Sequence, residues 1–327
     1  MILRDWIDKD KLNGFCLSSN TYAVDLLRKE PDKIYWYNLS RNPNAIDLLK
    51  EYPENINWDI LSFNENSIEI FRAYPDKIHW SYLSANPNAI DMLKANPHKI
   101  DWYNLSRNPN AIELLKANPH KIDWNNLSCN INAIDILKEN PNQINWYNLC
   151  LNPNAIGLLR DAPHKIHWSQ LSLNPNAIEL LLEYPEKIDW HFVSLNANAI
   201  KIFKLYPDKI YWMYVSSHPD AIELLRDNPD KIEWRWLSRN PNAIDLLRDA
   251  PHKIDWIWLS RNPNAMDLLR DNPHQINWYW FSQNPSIFTY DYASMTCAFK
   301  EELIAAVFHP SRFERYLLEY DFDMGDL

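Results

Sequence analysis

The chain has 327 residues, a formal net charge of −10 and three glycines, Gly14, Gly157 and Gly325. Glycine this scarce, against a usual share of about 7%, excludes the phosphate-cradling loops of nucleotide-binding enzymes, which need several glycines so that backbone can approach phosphate. Residues 287–327 hold three basic and eight acidic side chains; the rest is close to neutral and shows no basic stripe of the kind nucleic-acid binding needs, so a nucleic-acid partner is not expected.

The first segment, MILRDWIDKDK, is charged and lacks an apolar h-region, and nowhere do 18 apolar residues run together. Neither secretion nor a membrane span is expected. Four cysteines without CxxC spacing read as reduced thiols. Residues 1–13 are expected to form an N-terminal cap on a repeat array covering 14–286.

That array is one line written about a dozen times. Tryptophan recurs at Trp36, Trp58, Trp80 and onward to Trp278, every 22 residues without a slip, and Gly14–Ser18 occupies the same frame without the Trp. Numbering from the Trp as 0, Leu stands at +3, Ser at +4, Asn at +6, Pro often at +7, Ala-Ile at +9 and +10, Leu-Leu at +12 and +13, Pro at +17 and Ile at +20. A first short helix is expected around the Trp, with the preceding Asp or Asn (Asp101, Asn145 and Asp255, for example) as its N-cap. Position 0, +3 and +4 share its inner face. A second helix is expected from Asn +6, capped by that Asn with Pro at its first position. Its apolar residues recur at one-face spacing, and Pro +17 ends it. Acid at +11 and Lys or Arg at +14, as in Asp245 and Arg248, read as an exposed ion pair. Helices this short are marginal alone, so each pair must bury its face on its neighbours.

The predicted fold is therefore all-α, an α-solenoid of about twelve repeats of two short helices, the first either α or 3-10. A leucine-rich-repeat horseshoe shares the period, but its strand needs apolar residues two apart, and position +1 runs Tyr37, Asp59, Ser81, Tyr103, Asn125. After Pro285 the pattern dissolves. Residues 287–327 are expected to form a C-terminal helical cap, with one helix over 291–308 and a last one opened by the capping box Ser311 to Glu314.

No reaction is legible in this pattern. The histidines His98, His120, His164, His252 and His274 fall in turn positions of repeats too far apart to share one metal, and the carboxylates lie in exposed columns. Neither enzymatic activity, nor a metal, nor a cofactor is expected. The informative columns are those that vary, +1, +2 and +5, which form the outer face of the first helix. Position +2 ends in five aromatics, Phe192, Tyr214, Trp236, Trp258 and Trp280, flanked by Arg235, Arg239 and Arg261. Aromatic rings with arginine make binding hot spots; the same rings could instead stack between repeats and stiffen the array.

The line WxxLSxNPNAIxLLxxxPxKI and the tail FKEELIAAVFHPSRFERYLLEYDFDMGDL resemble tandem 22-residue-repeat proteins encoded by large DNA viruses of amoebae and algae. That resemblance spans essentially the whole chain and implies residence inside the infected cell or in the virion, without implying any activity. More distantly the NPN-bearing line is similar to leucine-rich variant repeats, which pair an α-helix with a 3-10 helix. The expected function is a non-enzymatic scaffold for protein–protein interaction. The alternatives are a self-assembling structural component and a single-strand nucleic-acid binder that stacks bases on the aromatic ridge.

Overall fold

A computed structural model describes residues 1–291. It is an all-α repeat structure in which most 22-residue units carry a first helix begun by the Trp, a second helix begun by Ile +10 and a 3-10 turn begun by Pro +17, as in Trp124–Cys129, Ile134–Glu139 and Pro141–Gln143. The first helix is α. The 3-10 element falls at the proline after the second helix, where residue +16 has left the helical region (Asn118, φ −136°, ψ 58°). The expected helices over 291–308 and after Ser311 lie outside the described residues, apart from Asp291.

Local chemistry explains each boundary. Asp101, Asp123, Asn145, Asp189, Asp255 and Asn277 all accept a main-chain N–H of the first helix through their side chains, which satisfies a donor the helix itself cannot. The second helix starts later than its sequence suggests. Asn +6 caps only a short turn, its Oδ1 accepting from the N–H at +8, and the helix proper begins after Ala +9, a residue with no capping side chain. The amide of that Asn is committed elsewhere.

It is committed to the neighbouring repeat. Asn130 donates through Nδ2 to the main-chain oxygens of Ser106 (3.1 Å) and Asn108 (2.9 Å), and Asn42, Asn64, Asn152, Asn174 and Asn262 repeat the pattern. The result is a buried ladder, one rung per repeat, that would leave carbonyls orphaned if broken. His218 takes one Asn place: its Nδ1 accepts from Asp220 N, so Nε2 is left to donate to Ala197 O at 2.7 Å. Ser +4 is a second clip. Ser128 Oγ donates to Trp124 O and accepts from Asn145 N, 17 residues on; Cys150 stands in for the serine, accepting from His167 N.

Leu +3, Ala +9 and the residue at +13 are fully buried along the array. The tryptophans, expected to turn inward, are half-buried. Many lie at the edge of the core with a ring face covered by Lys +19, as in Lys165 over Trp146 at 4.6 Å, or by Tyr +16, as in Tyr184 on Trp168 at 5.1 Å. The lysine stem packs on the ring while its ammonium stays wet. The +11/+14 ion pairs form on exposed second helices (Asp47–Lys50, 3.5 Å; Asp267–Arg270, 3.0 Å).

The array closes on itself. Asn20 of the first repeat, where an open solenoid has no preceding neighbour, donates to the main-chain oxygens of Ser282 (3.2 Å) and Asn284 (3.0 Å), the same rung found between consecutive repeats. Residues 11–13, read as part of a cap, complete the last repeat: Lys11 lies over Trp278 at 5.3 Å as a Lys +19 would, and Asn13 donates its N–H to Ser282 Oγ while capping Cys16 N. Ahead of them Ile2–Leu3 (β1) pairs antiparallel with Phe288–Thr289 (β2), Arg4 donates to Ile287 O and Ser286 O, and Trp6 packs on Phe281. Residues 1–13 thus join the first repeat to the last. Gly14 replaces the Trp because any Cβ there would run into the main-chain oxygen of Lys33.

Thirteen frames, from Gly14 to Trp278, make a ring. Along it many of the first helices pack directly on their neighbours, whereas the second helices, apart from Ile178–Glu183 and Ile200–Leu205, approach one another less closely and leave open grooves such as the one between Pro43, Asp47, Lys50, Glu69 and Arg72. A curved array has its tighter spacing on the inside, so the first helices line the interior. Thirteen helices about 9 Å apart leave an opening on the order of 25 Å across.

Candidate interior binding surface

The columns +1, +2 and +5, varied in the sequence, form the wall of this opening. Leu +3 and Ser +4 point into the core, so the remaining face of the first helix has only the interior to look into. Exposure agrees: Tyr37, Tyr103 and Tyr147 at +1 are 58%, 62% and 49% exposed.

Position +2 is a seam running around the wall. In the early repeats it is a polar ladder, with Asn38, Asn126 and Asn148 donating to the carbonyls of Phe15, Tyr103 and Asn125 in the preceding repeat. In the later repeats it becomes the aromatic ridge, whose five rings are all half-buried. Trp236 stacks on Trp258 (centroids 6.1 Å, planes 20° apart) and meets Tyr214 edge-on at 6.0 Å. The run is interrupted twice by other groups: His191 contacts both Phe192 and Tyr214, and the Arg261 guanidinium sits 5.9 Å from Trp258 and 4.6 Å from Trp280. Arg239 covers Trp258 from 5.6 Å, and Arg235 approaches Asp255 at 3.8 Å. All eight residues singled out in the sequence come together on one sector of the wall. The rings stack between repeats and remain half-buried beside the interior.

Beyond Trp280 the seam crosses the closure. Tyr279 stacks on Phe15 at 6.4 Å. Burial pushes the Cys16 thiol up from its ordinary value, against the hydrogen bond of Tyr279 and the field of Arg261.

The wall also holds charge that the sequence analysis missed. Over thirteen repeats its three columns contain five arginines, Arg41, Arg107, Arg235, Arg239 and Arg261, against one acid, Asp59. The chain as a whole is acidic, whereas these three columns carry a basic excess. Arg41, Arg107, Arg239 and Arg261 make no ion pair with a carboxylate among the described residues, while outer-wall cations such as Lys50, Arg160 and Lys204 bridge to acids of the next repeat. The excess was legible as arginine recurring at +5, but it gained meaning only once that column faced an enclosed space.

No group of histidines, cysteines and carboxylates that could hold a metal ion occurs among the described residues, and no helix among them is long and apolar enough to cross a membrane. His98, His120, His164, His252 and His274 are exposed in the 3-10 turns. Neither a family model, nor a curated protein, nor a solved structure matches the chain.

Proposed function

We propose that the chain is a non-enzymatic interaction scaffold, a ring that binds a protein partner on its inner wall. One observation carries this reading: closure turns the three variable columns toward a common interior, while the repeated columns are spent on the core and the inter-repeat ladder. A wall with half-exposed aromatic rings and arginines held over them has the composition of interaction hot spots, and a preformed ring contributes that surface without ordering cost at binding. Photoreactive phenylalanine placed at Tyr103 or Tyr279 on the inner wall, or at Asp91 or Glu179 on the outer wall, tests the reading in extracts of the cell that makes the protein. Specific cross-links are expected from the inner positions; cross-links confined to the outer ones would refute it.

A further inference from the structure

We propose, resting on the reading of the inner wall as the working surface, that its sector between the repeats of Trp190 and Trp278 receives an acidic peptide segment of a partner protein. Arg239 and Arg261 would be its carboxylate receptors. The first ground is charge. In a chain with 43 acidic and 33 basic side chains, these two guanidiniums have no carboxylate partner among the described residues, although the outer wall forms many such pairs. They are instead held over Trp258 and Trp280, at 5.6 Å and 4.6 Å. A guanidinium anchored by an indole keeps its fork of N–H donors directed at its rim, which suits two-point binding of a carboxylate. The second ground is apolar surface in the same sector. Ile257 is 50% exposed and Leu195 45%, so a segment alternating acidic and apolar side chains would find partners for both.

Geometry narrows the occupant further. A second copy of the ring cannot present its convex wall inside an opening on the order of 25 Å, because that wall belongs to the larger circumference; an extended or helical segment fits. Nucleic acid is the less favoured anion. Single-strand binders need open aromatic faces for the bases and a cation track along the backbone. Here Trp258 already has Trp236 stacked on it and two guanidiniums over it, and five arginines are spread over the circumference of an otherwise acidic chain.

The test uses the full chain and fluorescein-labelled short peptides of alternating Glu/Leu, Gln/Leu and Lys/Leu, with an oligo-dT strand, read by anisotropy at low and high salt. Glu/Leu is expected to bind best, more weakly as salt rises, and to lose about tenfold or more on R239Q/R261Q, the size of loss for charge-assisted hydrogen bonds. The outer-wall variant K116Q/K138Q should retain binding, and R239K/R261K should restore part of it with the same thermal unfolding as R239Q/R261Q. Equal binding of Gln/Leu, or indifference to the arginine variants, overturns the acidic chemistry while leaving the inner wall as a binding surface. Tighter binding of oligo-dT through the same arginines overturns the choice of a peptide. Binding of no peptide overturns the inference as a whole; the inner-wall reading is judged separately, by the cross-link positions.

Discussion

Closure of the ring can be tested at a single side chain. In an open solenoid Asn20 stands at the free end, with no repeat before it, and Asn20→Ala would remove little beyond a local turn. In the ring Asn20 is 3% exposed, donates to the carbonyls of Ser282 and Asn284, and accepts from Tyr22 N. Asn130, in mid-array, is 2% exposed and makes the same three bonds to Ser106, Asn108 and Asn132 N. Alanine at either place deletes three hydrogen bonds and leaves two carbonyls and one N–H without their partner. At a net ~1 kcal/mol per bond, rising where a buried group stays unsatisfied, each variant should lose about 3 kcal/mol or more. Urea unfolding compares the two totals. Hydrogen exchange locates the damage, which for Asn20→Ala should reach both ends of the sequence, around residues 13–22 and 278–287. A neutral Asn20→Ala beside a destabilised Asn130→Ala, or a loss of protection confined to the first repeat, would refute the ring.

Two further variants examine the core and the ridge. Trp146→Ala should cost about 2 kcal/mol, short of the 3–5 kcal/mol of a fully buried aromatic, because the ring is half-buried under Lys165; thermal unfolding measures the loss, and hydrogen exchange should change over residues 124–168. Replacing Trp236, Trp258 and Trp280 together with Asn should keep the fold, at a cost of roughly 1 kcal/mol per lost ring contact, because Asn at +2 already bonds to the preceding repeat at Asn38, Asn126 and Asn148. Partner cross-linking from Tyr279 should nevertheless fall sharply; a collapse of thermal stability without that selective loss would assign the indoles to packing alone.

The repeat, its two helices and its core columns were legible in the sequence, because each depends on neighbours within a few residues. Asp or Asn before Trp caps whatever follows it, proline ends a helix wherever it falls, and leucine at fixed spacing shares one face. The second-helix start was misplaced for a local reason with a distant cause: Asn +6 has the chemistry of an N-cap, but its amide serves carbonyls one repeat away, and sequence spacing does not reveal which demand prevails. Tryptophan at position 0 was placed too deep, since a large apolar ring reads as core until the lysine and tyrosine that cover it are located. The eight candidate residues were found as a cluster because they share columns in successive repeats. Closure was beyond such reasoning. Lys11-Leu12-Asn13 carries the Lys-Ile-Asp spelling of a repeat end, but its partner, Trp278, lies at the other end of the array, and only the summed curvature of thirteen units brings them together. A small change in rotation per repeat would leave the same helices in an open spiral. That accumulated angle, a property of tertiary packing, made the ring, turned the variable columns inward and gathered their five arginines around one space.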